Sequence, residues 1–105
     1  MSTTTLPPLA EQGIATLRAH EAELRDAGIR RLSLFGSVAR GEADAKSDVD
    51  LAVEFDPGAG IDLIRLVGLE REIGDILGRR VEILPEPIEK LRLRVNVERD
   101  RLVVY

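Results

Sequence analysis

Two aspartates at the start of a predicted strand are the residues of this sequence best suited to do chemistry. Asp48 and Asp50 are two residues apart, so on an extended chain both carboxylates project from the same face. Two carboxylates this close repel each other, and a divalent cation bound between them removes that penalty. With hard oxygen ligands and neither histidine nor thiol in the segment, the pattern predicts Mg²⁺ or Mn²⁺ rather than zinc.

A glycine and a serine just upstream are suited to bind phosphate. Gly36 and Ser37 end a predicted strand and open a short helical turn. Glycine lets an anion approach the backbone, and free N–H groups at a helix start favour phosphate. A phosphate cradle and metal-binding carboxylates within fifteen residues of each other are what nucleotidyl or phosphoryl transfer requires.

Structural roles for the neighbouring polar residues stay open at this point. Ser37 could be a helix N-cap, and Ser47 could be a local cap that fixes the turn before Asp48. Arg40 could contact the nucleotide or could pair with an acidic neighbour and brace the loop. The single histidine, His20, is predicted to be a partly buried structural residue. Terminal Tyr105 is predicted to lie in a disordered end.

The composition excludes several other kinds of site. The 105 residues include no cysteine, which rules out disulfides and thiolate metal sites, and one histidine cannot form a two-histidine metal site. The net charge of −4 disfavours a broad grip on nucleic acid. No apolar run approaches the roughly 20 residues that span a bilayer. We therefore expect no membrane partner, no direct nucleic-acid binding and a cytoplasmic location.

Hydrophobic spacing and turn residues divide the chain into alternating helices and strands. The predicted order is a helix over 8–27, a strand over 30–36, a short helical turn and loop over 37–47, a strand over 49–55, a helix over 61–77, a strand over 79–84, a helix over 85–99 and an edge strand in the last four residues. Residues 1–7 are predicted to be a flexible tail and residues 8–105 a single domain. This order predicts an α/β (α+β) fold with helices packed against one sheet. Arg92 and Arg94 on the last helix are predicted to form a solvated face or to meet an acidic partner.

One motif of this sequence resembles that of a known superfamily. The pattern G-S-x-x-R-G-x5-S-D-x-D over residues 36–50 resembles the signature of the DNA polymerase β-like nucleotidyltransferases. The short chain is similar to the minimal nucleotidyltransferases (MNT) that prokaryotes encode beside HEPN-domain partners. The resemblance covers about residues 10–105.

The resemblance implies a small mixed sheet and a set of ligands. Gly36 and Ser37 would hold the β- and γ-phosphates of an NTP, with Arg40 and Ser47 completing the nucleotide site. Asp48 and Asp50 would bridge two Mg²⁺ ions, with Mn²⁺ as the alternative metal.

The family also has a third carboxylate on the next strand. Glu82, in the setting Val-Glu-Ile, takes that position here in place of the usual aspartate. Its flanking valine and isoleucine would face the other side of the strand, towards the core.

The resemblance also implies an activity, namely transfer of AMP from ATP to a hydroxyl of a partner protein. The expected acceptor is a tyrosine of a HEPN toxin, so this chain would act as the antitoxin, and homo- or hetero-oligomers are both compatible with it. Two alternatives stay open: an antitoxin that neutralises its partner by binding alone, and a nucleotidyltransferase that acts on a small molecule.

Overall fold

A four-stranded sheet forms the centre of the molecule, which a computed structural model describes over residues 6–105. The elements in chain order are α1 (Pro8–Ala19), α2 (Glu21–Asp26), β1 (Ile29–Phe35), α3 (Gly36–Arg40), β2 (Val49–Phe55), α4 (Leu63–Leu77), β3 (Val81–Glu86), α5 (Leu91–Asp100) and β4 (Leu102–Val103). The strand order across the sheet is β3-β2-β1-β4. The predicted tail lies largely outside the described residues, and within them Leu6 packs against the core.

The sheet is mixed, as predicted. β1 pairs antiparallel with both β2 and β4, whereas β2 and β3 run parallel. A parallel pair needs a crossover connection, and α4 provides it. The short β4 at the edge confirms the strand predicted near the end of the chain.

The two faces of the sheet are covered by different helices. Alternate residues of β1 and β2, among them Leu32, Leu34 and Leu51, are buried in the main core with α1 and α4. The opposite face packs on α5, where Ala52 of β2 meets the fully buried Val97. Because the sheet is covered on both sides, its residues face either of two separate apolar clusters.

The helices described within residues 6–105 are too short or too polar to span a bilayer.

The single helix predicted over 8–27 is wrong, because the chain breaks at His20 between α1 and α2. The Nδ1 atom of His20 lies 2.9 Å from the Thr16 carbonyl oxygen, which the His20 backbone N–H would bond in a continuous helix. That N–H donates instead to the Leu17 carbonyl at 3.0 Å. The histidine side chain thus competes with the helix and turns the chain.

The predicted bounds of the third strand and the last helix are also wrong. β3 extends from Val81 to Glu86 and includes Pro85, and α5 begins only at Leu91. The ladder explains how a proline fits. Val49 N–H donates to the Arg80 carbonyl, so even-numbered N–H groups of β3 face β2 and odd-numbered ones face the open edge. Pro85 stands at an edge position, where its missing N–H costs nothing.

Tyr105 is ordered, contrary to the prediction of a disordered end. Its hydroxyl donates to the Ile29 carbonyl at 2.9 Å, and the Arg25 guanidinium lies 4.5 Å from the ring centroid. Burial raises the pKa of the Tyr105 phenol to about 12. These contacts tie the end of the chain to β1.

We therefore expect Tyr105→Phe to lower the stability of the fold. Losing the hydrogen bond to the Ile29 carbonyl should cost about 1 kcal/mol, which corresponds to a fall in Tm of roughly 4 °C or more in a domain of this size. Thermal unfolding followed by circular dichroism measures the effect. Tyr105→Leu also removes the contact with Arg25 and should be less stable still. A wild-type Tm in both variants would contradict the role assigned to this residue.

Candidate active site

The register of the parallel strands brings two of the predicted acids together. Asp50 of β2 and Glu82 of β3 are direct partners in the ladder. Val49 and Val81, one residue earlier on each strand, are buried in the main core, so the two carboxylates point to the opposite face. The predicted alternation of Glu82 against its neighbours is therefore confirmed. The two acids occupy adjacent strands on the same face.

The pKa of Asp50 is raised by its burial and by its position beside other acids. Partial burial of the carboxyl, and then the charge of Glu82 and a hydrogen bond shared with it, raise the pKa of Asp50 to about 6. The charge of Asp48 acts in the same direction, and Arg40 opposes it. A carboxyl that resists ionisation beside other acids is a site where a cation would be stabilising.

Asp48 lies just before β2 and is half-buried. Within residues 6–105, no three side chains among His, Asp and Glu converge closely enough to enclose a metal ion as they stand. The donor set itself consists of carboxylate oxygens, which fits Mg²⁺ or Mn²⁺ and does not fit a soft metal.

Gly36 lies against the Asp50 carboxylate. It directly follows Phe35, the antiparallel partner of Asp50, and has a φ of 78°, in the left-handed region that favours glycine. A Cβ atom at this position would lie 3.1 Å from Asp50 Cγ and closer still to Oδ2. Because Gly36 has no side chain, the Asp50 carboxylate can lie against the first residue of α3.

Ser37 is half-buried in α3, and no side chain caps that helix. Its predicted alternative role as the N-cap is wrong, because Phe35 holds that position. The short helix therefore begins with Gly36 and Ser37 beside the acid pair, the placement predicted for a phosphate cradle.

Ser47 serves the loop before β2. Its hydroxyl accepts from the Asp44 backbone N–H at 2.9 Å and donates to Asp44 Oδ1 at 3.2 Å. Arg79 donates to the carbonyls of Asp44 and Ser47 at 3.1 and 3.0 Å. These bonds fix the backbone that leads into Asp48 and match the predicted local cap.

Arg40 is held by acids, which matches the bracing role left open for it. Its guanidinium donates to Asp100 Oδ2 at 2.6 Å and to Glu42 at 3.0 Å. The Asp100 side chain is only 3% exposed and also accepts from Arg99. Hydrogen bonds from Arg99 and then from Arg40 hold the pKa of Asp100 below its usual value, against the effect of burial. The pair joins the end of α3 to the end of α5.

Sequence reasoning missed Glu70, which belongs to the same region. A groove of about 420 Å³ is lined by Asp50, Glu82 and Glu70 together with apolar Phe35, Leu84 and Leu93. Glu70 Oε2 accepts the Ile83 N–H at 2.8 Å, one of the N–H groups on the open edge of β3. The signal available in the sequence was a glutamate directly after Leu69, beside the apolar stripe of α4.

Comparison with known proteins places these residues in a family. The family model described as Nucleotidyltransferase domain matches residues 17–104, which include all seven predicted site residues. The protein adenylyltransferase MntA of Thermococcus cleftensis is 38% identical over 90 residues, which are 85% of this chain and 87% of that protein. A relative from Methanocaldococcus jannaschii is 46% identical over 57 residues, 54% of this chain and 59% of that protein.

Solved structures share the fold. A structure described as a minimal nucleotidyltransferase is 38% identical, has a TM-score of 0.66, and the match covers 85% of this chain and 93% of that one. A toxin–antitoxin complex with AMP-PNP has a TM-score of 0.70 at 22% identity, over 86% of this chain and 72% of that one. A Shewanella oneidensis complex of a tri-AMPylated HEPN toxin with its MNT antitoxin has a TM-score of 0.65 at 18% identity. The match covers 91% of this chain and 71% of that one. This chain belongs to the nucleotidyltransferase family, whose enzymes transfer nucleotidyl groups, and is one of its minimal members.

Proposed function

We propose that this chain transfers AMP from ATP to a hydroxyl group of a partner protein and releases pyrophosphate. The observation that carries the proposal is the acid pair Asp50 and Glu82 beside the side-chain-free Gly36. A relative named protein adenylyltransferase and a fold neighbour that contains an AMPylated HEPN toxin support it. The acceptor we propose is a tyrosine of a HEPN toxin, as the resemblance of the sequence motif implies, and this chain, as antitoxin, inactivates that toxin.

In this proposal the cradle residues bind the phosphates and the acids bind the metal ions. Gly36 and Ser37 hold the β- and γ-phosphates of ATP, while Arg40 and Ser47 complete the nucleotide site by fixing the backbone on either side. Asp48, Asp50 and Glu82 would hold two Mg²⁺ ions, or Mn²⁺, which when bound neutralise charge on the phosphates and make the attacking hydroxyl more acidic.

The transfer step needs a group that takes the acceptor's proton. The acceptor oxygen bonds to the α-phosphorus as the bond to the pyrophosphate oxygen breaks, and the hydroxyl proton passes to the Glu82 carboxylate. Glu82 is solvent-exposed, so an acceptor on a separate protein can reach it. An acid one methylene longer than aspartate serves here because it lies directly opposite Asp50.

A second function, neutralisation by binding alone, is favoured by two observations. Within residues 6–105 the three acids do not yet converge into a metal site, and Glu82 replaces the usual aspartate. In that case the chain binds its HEPN partner and transfers no AMP.

Asp50→Asn should strongly reduce the transfer of labelled AMP to the proposed HEPN-domain partner. Removing a carboxylate that would hold the charge-neutralising metal ions should cost a factor on the order of 100 to 1000. Glu54→Gln is the matched control, because it makes the same change four residues along β2, on the same face, and should retain activity. Complex formation without any transfer by the wild-type chain would favour neutralisation by binding instead.

Gly36→Ala should reduce the transfer rate while the fold stays intact. The added Cβ would displace the Asp50 carboxylate, and a shift of about 1 Å in a catalytic group can cost on the order of 100-fold. Gly60→Ala is the control, since Gly60 also has a positive φ, of 63°, and nothing lies within 4 Å of a Cβ built at that position. Labelled transfer and thermal unfolding are measured on both variants. Equal rates would show that the contact between Gly36 and Asp50 is not needed.

The metal-free protein should lose stability as the pH rises between about 4 and 6. The folded state keeps a proton on Asp50 up to a pKa of about 6, whereas the unfolded chain releases it near 3.8. Because the folded state binds more protons within this window, stability falls with rising pH and then levels off. Tm in EDTA at pH 4.5, 5.5 and 7 should therefore fall in the wild type relative to Asp50→Asn. Parallel curves for the two proteins would contradict the raised pKa.

A further inference from the structure

The solvent side of α5 carries an apolar ridge flanked by cations. Leu91 and Val95, one helical turn apart, are 63% and 57% exposed. Lys90, Arg92 and Arg94 beside them are exposed, and in the part of the chain that the structure describes none of these three cations has an ion-pair partner. The exposed acids beside this face are Glu89 and Glu98, and Glu98 is paired with Arg101 at 2.7 Å. The three cations therefore give this face a local excess of positive charge on a chain whose net charge is −4.

The same helix forms a wall of the acid groove. Leu93 lines the groove with Asp50 and Glu82, and Val97 is fully buried against the sheet face that carries those acids. The groove is bordered by α5 through Leu93 and by α4 through Glu70, so a protein whose hydroxyl reaches Glu82 approaches close to both helices. Leu91 and Val95 each lie two residues from Leu93 along α5, on the side of the helix that faces solvent.

We propose that the outer face of α5, formed by Leu91, Val95, Lys90, Arg92 and Arg94, is the docking surface for the acceptor protein. This inference rests on the proposed function and names the chemistry of the partner: a shallow apolar groove rimmed by carboxylates. The apolar ridge supplies buried contact area, and the three cations steer an acidic surface into register.

The other exposed apolar patch does not fit this role. Leu63 and Ile64 at the start of α4 are 74% and 84% exposed. Glu70, the α4 residue that lines the acid groove, is six residues further along the helix than Ile64, whereas Leu93 lies two residues from both Leu91 and Val95. Asp62 and Arg65 flank them with opposite charges, so this patch has no preference for an acidic partner. It serves as the control surface.

Two double variants of α5 test the proposal. Arg92→Glu with Arg94→Glu, and Leu91→Ser with Val95→Ser, should each weaken binding of the proposed HEPN-domain partner at least tenfold by calorimetry. The charge variant should also flatten the salt dependence of binding. Both variants should raise the KM for the acceptor and leave the KM for ATP unchanged. The matched controls on α4, Arg65→Glu with Arg71→Glu and Leu63→Ser with Ile64→Ser, should bind within twofold of the wild type.

The outcomes separate this inference from the proposed function. Normal binding by both α5 variants, or loss of binding in the α4 controls instead, overturns the docking surface while AMP transfer stands. Binding that depends on α5 without any AMP transfer supports the surface and removes the proposed function. A wild-type chain that does not bind the HEPN-domain protein overturns both.

Discussion

The repulsion between Asp50 and Glu82 is the constraint on which the site depends. Parallel pairing of β2 and β3 places the two carboxylates directly opposite each other, and partial burial together with the charge of Glu82 raises the free energy of charging Asp50. A fold built for stability alone would place an apolar or oppositely charged residue at one of these positions. In this protein both positions are acidic, so the repulsion remains, and the arrangement is suited to a bound cation and a polyphosphate.

The surrounding contacts hold the acids in that position from several directions. Gly36 leaves room for the Asp50 carboxylate, and Arg79 fixes the loop that leads into β2. Glu70 reaches over the open edge of the sheet to bind the backbone of β3 one residue after Glu82. Arg79 and Glu70 need not touch the substrate, because each acts on the backbone beside a reacting group. A small number of residues thus positions the acid pair.

α5 connects the site to the outside of the molecule. Its inner side completes the smaller apolar cluster and lines the acid groove, and its buried Asp100 binds Arg40 at the end of the cradle helix. Its outer side is basic and apolar on an acidic chain. α5 therefore holds the end of α3 in place through Asp100 and also forms the proposed docking surface for the acceptor.

Local patterns in the sequence determined most of the elements and the chemistry of the site. Alternation identified β2 and the outward-facing Glu82, and the spacing of Gly36, Asp48 and Asp50 indicated the cradle and its acids, because these signals arise within a few residues. Tertiary structure decided the rest. The break at His20 depends on a side chain that competes for a backbone carbonyl, and Pro85 is tolerated in β3 only because that strand is at the edge of the sheet. The partners of Arg40, Glu70 and Tyr105 lie far along the chain, and no local pattern specifies them.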